Sequence, residues 1–341
     1  MKPDKFRNTK FGAIALLGLT LFNNNSQAEA SQLGIKGINY DPAHSQNFLD
    51  AQQANRIDIM AKSINNDLEQ IYKLGIPVIK TFYSEFCTID GSQCLSIVDL
   101  SYQHNLKIAL GVFEFAPFAG GERSWTTNQV KAAIRDTYKY SDPNRYTYNP
   151  VVAIIVGNED VDKTDTTNNI TLAEYIVSDI ETIRSSLGLK TPPIGTAQID
   201  VFPLLHDKSM SKIIAVSDFI GVNIYPYWYA GENDANFINI EVAGLEKMYP
   251  DKKIIVTEEG WPTAGNGEYL ISTAHTAQSG QDEQNKYYLA WKNRKSNFDS
   301  YLFGMYDKIP NKERPLSAAD NYFGLCDING NSKPGSVFHC R

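Results

Sequence analysis

Short apolar, β-rich runs recur along this chain at Leu33–Tyr40, Ile76–Tyr83, Leu106–Phe113, Val151–Val156, Pro193–Ile199, Phe219–Tyr225, Lys253–Thr257 and Tyr301–Tyr306. Helix-length stretches separate most of them. In the first stretch Met60, Ile64, Leu68 and Ile71 recur at helical spacing, and Gly75 followed by Pro77 ends the pattern. Similar segments fall at roughly 126–140, 170–187, 235–248 and 281–294. Strands alternating with helices imply right-handed βαβ units and a parallel sheet. Runs such as Val151–Val156, apolar on successive residues, suit strands covered on both faces. Eight units predict a single (β/α)8 barrel (TIM barrel) over 31–341, with an open doubly wound sheet as the alternative.

A barrel of this kind carries its chemistry on the loops after the strands' carboxyl ends. The eight runs end near Asn39-Tyr40, Tyr83, Phe113-Glu114, Asn158-Glu159, Gln198, Asn223-Tyr225, Glu258 and Tyr306-Asp307, so polar and aromatic groups gather there. Two ends share one design. Val151–Val156 leads through Gly157-Asn158 into Glu159, and Lys253–Thr257 leads into Glu258-Glu259. A buried strand that delivers a carboxylate is costly unless the charge is compensated or used. Either Glu could simply pair with a Lys or Arg and stabilise a loop. Two such deliveries onto one barrel face instead suggest the paired acids that cleave a glycosidic bond.

Composition narrows the classes without changing the picture. The 341 residues are 42% hydrophobic and 21% charged, ordinary for a globular protein, and the formal net charge is −7. An acidic balance gives no support for nucleic acid or an anionic membrane as partner. Residues 1–30 read as an export signal. Lys2, Lys5, Arg7 and Lys10 form a basic start, Phe11 to Phe22 carries no charge, and Ala28-Glu29-Ala30 has the small-x-small cleavage pattern. An uncleaved anchor is the alternative, although the apolar stretch is shorter than the ~20 residues a membrane span needs. Removal of that segment leaves 28 basic and 37 acidic residues, net −9, in a secreted, extracellular or periplasmic protein. Four cysteines in an exported chain suggest two disulfides, and local pairing of Cys87 with Cys94 and of Cys326 with Cys340 is expected. The cysteine spacings match no zinc pattern and the five histidines are scattered, so neither metal nor cofactor is expected. The chain also lacks a Gly-x-Gly-x-x-Gly run and a P-loop.

The string Val256-Thr-Glu-Glu-Gly-Trp-Pro-Thr-Ala-Gly265 closely resembles the nucleophile signature of glycoside hydrolase family 17, a Glu, one variable residue, then Gly-Trp-Pro. Val156-Gly-Asn-Glu159 is similar to that family's acid/base segment. Gly37-Ile-Asn-Tyr40, Thr81-Phe-Tyr83 with Cys87, Asn223-Ile-Tyr-Pro-Tyr227, and Tyr322-Phe-Gly-Leu325 through Lys333-Pro334 match in the same order, so the resemblance covers 33–334. It implies a retaining enzyme of β-1,3-glucan, either a hydrolase or a glucanosyltransferase, on a (β/α)8 barrel without cofactor. A monomer acting on a β-glucan oligo- or polysaccharide is expected, and a non-catalytic glucan-binding envelope protein is the alternative of another class.

By the same resemblance Glu159 is the general acid/base and Glu258 the nucleophile. Tyr40, Tyr83, Tyr225 and Trp261 are expected to line subsites, with Asn223 beside them. Asn158 is expected to bond the sugar 2-hydroxyl or orient the nucleophile. Glu259 stands where the family usually has a small residue, and is expected to turn toward a cation outside the cleft, since neighbouring strand residues face opposite ways. Lys80 replaces a frequent Arg, and Lys308 replaces the final Glu of a Phe-Asp-Glu run.

Overall fold

All eight predicted runs contribute a strand to one closed parallel barrel. Numbering all ten strands in chain order, the barrel comprises β1 (Lys36–Asn39), β2 (Val78–Lys80), β5 (Lys107–Val112), β6 (Val151–Asn158), β7 (Ile194–Ile199), β8 (Phe219–Asn223), β9 (Lys253–Glu259) and β10 (Asp299–Leu302). β10 pairs in parallel with β1 to close the ring. This computed structural model describes residues 34–114, 122–161, 166–205, 207–229, 236–265, 277–312 and 314–340. The expected export signal at 1–30 lies outside the described residues, and Leu33–Arg341 forms one compact unit.

Strand alternation sorts the apolar residues into two layers. Val78, Ala109, Ala153, Ile155, Ala197, Phe219, Ile255 and Tyr301 form a small cluster of their own. Their strand neighbours Ile79, Ile108, Leu110, Ile154, Val156, Ile220, Val222, Ile254 and Val256 join the larger core that includes helix residues. Helix α2 (Ile57–Lys73) buries Met60, Ile64, Leu68 and Ile71, the four residues whose spacing predicted it. The other expected helices are α4 (Arg123–Tyr140), α5 (Thr166–Leu187), α9 (Asn236–Met248) and α10 (Gln281–Asn293). Among the described residues no helix is long and apolar enough to cross a membrane.

The strands differ from the apolar runs at their ends. Of Ile76–Tyr83 only Val78–Lys80 is strand, because apolar character marks burial and not ladder pairing. Phe82 and Tyr83 lie beyond the ladder, where Tyr83 stacks on Phe113 at 5.1 Å between ring centroids. β6 and β9 run further than their apolar cores, to Asn158 and Glu259. Sequence periodicity also missed a hairpin, β3 (Glu85–Cys87) with β4 (Cys94–Ser96), whose ends are joined by the Cys87–Cys94 disulfide. Cys326–Cys340 is the second disulfide, so both local pairings are found.

Candidate active site

Glu159 owes its position to a turn that the glycine at 157 permits. Gly157 has φ +77°, and a Cβ there would lie 2.5 Å from Asp160 Oδ2. That carboxylate accepts from Asn158 N at 2.6 Å, which cinches the turn. Glu159 itself has φ +57°, an uncommon conformation for a residue with a side chain, and such strain concentrates at functional sites. Its N–H still donates to Ala197 O of β7, so the residue is anchored to the barrel while its side chain stays accessible.

Glu258 is delivered differently. The pairing of β9 with β8 passes over Thr257, since Val222 faces Val256 and Asn223 faces Glu258, a bulge that re-aims side chains. Thr257 Oγ1 can then donate to Asn223 Oδ1 at 2.6 Å while Glu258 meets other groups of the cleft. Lys80 Nζ lies 2.8 Å from Glu258 Oε1, and the Tyr225 hydroxyl donates to Oε2 at 2.6 Å. Burial and the charges of Glu258 and Glu159 push the Tyr225 phenol well above its usual range, so it remains a donor. Burial presses the Lys80 ammonium pKa down, against the pull of Glu258.

One hydrogen-bonded network links the two acids. Asn223 Nδ2 donates to Glu159 Oε1 at 2.7 Å and approaches Asn158 Oδ1 at 3.5 Å. Lys80 Nζ reaches the same Asn158 oxygen at 3.3 Å. Thr257 fixes which end of the Asn223 amide faces Glu159, because its hydroxyl donates to the amide oxygen. Glu159 keeps solvent access through the mouth of the cleft, yet protein atoms crowd it. This desolvation, followed by the charge of Glu258, raises its pKa to about 7, against the Asn223 hydrogen bond. Glu258 is only 4% exposed.

Glu259 points away from this network, as expected. Arg294 grips it with both guanidinium NH2 groups, and the Tyr287 hydroxyl donates to Oε2 at 2.8 Å. Burial is complete, at 0% exposure.

The six expected substrate contacts divide. Asn158, Asn223 and Tyr225 join the acids, and Tyr83 is half-buried on the wall that Phe113 shares. Tyr40 does not reach the cleft surface: it is 1% exposed and donates to Asp67 Oδ2 at 3.0 Å. Trp261 is 2% exposed, packs against Tyr227 and Tyr287, and donates through Nε1 to Gln278 O. Both are packing residues, since a strand-end aromatic fills the space between rim and helices as readily as it faces a ligand. Sequence reasoning missed Lys80 as the partner of Glu258, although a Lys on an otherwise apolar three-residue strand was the available signal. It also missed a second acid pair. Glu114 and Asp179 share Arg123 at 2.7 and 2.6 Å, and burial followed by Asp179 lifts Glu114 to about 9.

Among the described residues one group gathers metal-type ligands, Glu85 with Cys87 and Cys94, and both sulfurs are tied up in the disulfide. A cavity of about 460 Å3 lies against the start of β1, β2 and β5, lined by Lys36, Tyr72, Val78 and Lys107, and has no carboxylate. A smaller one, about 200 Å3, lies past the carboxyl ends of β1 and β10, lined by Asn39, Phe82, Phe303 and Lys308.

Comparison with known proteins places a barrel with this rim among the glycoside hydrolases. Residues 37–324 match the family model described as the BtgE/BtgC glycoside hydrolase domain, and the chain belongs to that family. Solved structures of similar fold include the glycoside hydrolase family 17 β-1,3-glucanosyltransferase of Rhizomucor miehei, at 19% identity and TM-score 0.61 over 90% of this chain and 98% of that one. A β-1,3-glucanase and allergen of Cryptomeria japonica pollen has TM-score 0.56 at 14% identity, covering 91% and 100%. The family 17 resemblance and the barrel are thus borne out. A curated relative named glucan 1,3-beta-glucosidase, from Schizosaccharomyces pombe, is 35% identical over 36% of this chain and 39% of its own length. A probable beta-glucosidase btgE of Aspergillus terreus is 24% identical over 62% and 34%. The chain therefore spans less than two-fifths of the length of either relative.

Proposed function

We propose that the protein cleaves β-1,3-glucan with retention of configuration, through a glycosyl-enzyme formed on Glu258. The observation that supports this most is the unequal setting of two networked acids. Glu159 has a pKa near 7 and solvent access, and Glu258 is buried against an ammonium and a phenol. Unequal environments let one carboxyl group act as acid while its neighbour stays charged. Protonated Glu159 donates to the departing glycosidic oxygen as the Glu258 carboxylate attacks the anomeric carbon. Glu159, now ionised, takes the proton of the acceptor that resolves the intermediate. Lys80 and Tyr225 hold both oxygens of Glu258 and so aim it. Asn158 and Asn223 are the amides placed to meet the sugar beside the cleavage point.

The β-1,3 linkage is taken from the names of the relatives and the family 17 resemblance. Two disulfides suit an exported protein, and we extend the proposal to action outside the cytoplasm. Water as acceptor makes the protein a glucanase; a glucan hydroxyl makes it a glucanosyltransferase with the same pair. Residues 116–121 and 266–276 of the two loops expected to shape the acceptor side lie outside the described residues. Incubation with laminari-oligosaccharides, with product size and anomer followed from the first turnovers, tests the reading. Shorter β-products indicate hydrolysis, longer ones transfer, and α-products would sink the retaining mechanism.

A further inference from the structure

Two half-buried cations of the cleft differ from several others among the described residues. Lys80, Arg123, Arg294 and Lys333 each meet a carboxylate at ion-pair distance. Among the described residues the Lys308 ammonium and the Arg314 guanidinium form no carboxylate ion pair, although the charges of Asp320, Glu258 and Asp41 act on Lys308 from further off. Both line the 200 Å3 cavity together with Asn39, Asp41, Phe82 and Phe303. That cavity adjoins the proposed chemistry. The Phe303 ring stands edge-on to Tyr225, centroids 5.9 Å apart, and Tyr225 holds Glu258. Asn39 Nδ2 donates to the carbonyl of Thr257, the residue before Glu258.

The backbone of each cation is anchored, and the Phe303 ring sits under the Lys308 ammonium. Lys308 N donates to Asn321 O at 2.9 Å, and its ammonium lies 4.4 Å from the Phe303 centroid. Arg314 N donates to Asn311 Oδ1 at 2.8 Å. Burial first, then the charge of Arg314, presses the Lys308 pKa down, so the two charges feel each other. Asp41 lines the same cavity, but its Oδ1 caps the backbone N–H of Ala43. Both side chains keep partial solvent exposure, and an anion satisfies an ammonium and a guanidinium better than a neutral hydroxyl does. The guanidinium fork also matches the geometry of carboxylate and phosphate oxygens.

We propose that this cavity is a subsite for an anionic substituent on the glucan, a carboxylate or a phosphate ester, held between Lys308 and Arg314 beside the cleavage point. The proposal rests on the glucan reading above. Binding of laminarin, carboxymethyl-laminarin and phosphorylated laminarin to the Glu258→Gln protein, measured by calorimetry at low and high salt, tests it. At least one anionic glucan is expected to bind roughly tenfold tighter than the neutral one at low salt. The advantage shrinks as salt rises. Lys308→Met and Arg314→Gln each remove most of it, and Arg314→Gln serves as an independent variant if Lys308→Met fails to fold. Whichever anionic glucan binds tighter identifies the substituent. Neutral glucan bound with no anionic gain would overturn the subsite alone, as would a gain that survives both substitutions. Failure of all three glucans to bind would overturn the glucan reading and the subsite with it.

Discussion

Glu258 and Glu259 are consecutive residues of one strand with opposite circumstances. Glu259 is wholly enclosed and every demand of its charge is met, by two guanidinium nitrogens and a tyrosine hydroxyl. Glu258 is nearly as buried, yet its partners are one ammonium and one phenol, and its network continues to a solvent-accessible acid. A carboxylate gripped by a planar fork has no reason to leave it. One held at each oxygen by a single donor can exchange an interaction for a developing bond. Completeness of pairing, more than burial, separates the structural acid from the one proposed to react.

The largest expected effect breaks the pair apart by activity. Glu258→Gln should lower turnover by at least ~10⁴-fold, on the scale of losing a nucleophile in other covalent mechanisms. The buried Lys80 ammonium loses its carboxylate but keeps the Asn158 oxygen, so stability should fall less than in Glu259→Gln, and unchanged glucan turnover would refute the assignment. Glu259→Gln should do the reverse. Leaving the Arg294 guanidinium buried and unpaired costs about 3–5 kcal/mol, read by denaturant unfolding. Replacing both Glu259 and Arg294 with apolar residues should recover much of that loss.

The next effect sharpens the contrast through pH. Glu159 loses its proton near pH 7, so kcat/KM should fall as pH rises through that value. Glu159→Gln should cost about 10²- to 10⁴-fold on substrates whose leaving group needs protonation. The charge of Lys80 holds the Glu159 pKa down, so Lys80→Met should move the alkaline limb to higher pH as well as lowering the maximum. A limb that stays in place would show that Glu159 is not the group being titrated.

The last effect is confined to stability and concerns the pair that has no part in the proposed chemistry. Folded, Glu114 keeps its proton up to about pH 9, whereas the ordinary value is 4.5. The folded state therefore binds more protons between those values, and stability falls as pH rises across that window. Glu114→Gln should flatten this decline, by at most about 1.4 kcal/mol per pH unit. Chemical unfolding across neutral and alkaline pH measures it.

Much of the barrel was legible because parallel strands buried on both faces leave unbroken apolar runs, and α2 was legible because its buried face repeats at helical spacing. The hairpin of Glu85–Cys87 and Cys94–Ser96 was not, since three-residue strands carry no periodicity. The two carboxylates were legible as charges that end apolar strands. Tyr40 and Trp261 were misjudged because an aromatic near a strand end looks the same whether it faces a ligand or fills a core.

By themselves, the residues determined the eightfold alternation, the two acid-tipped strands and, through the spacing to Gly-Trp-Pro, which of two adjacent glutamates to favour. Only the tertiary structure decided who meets those acids. Lys80 lies 178 positions from Glu258 and Asn223 lies 64 from Glu159, and chain pattern carries no record of such distances. Local pattern encodes which face of an element is buried, because burial recurs with each turn or pleat. Partnership between charges depends on how the barrel closes and where β9 bulges, which are properties of all eight strands at once.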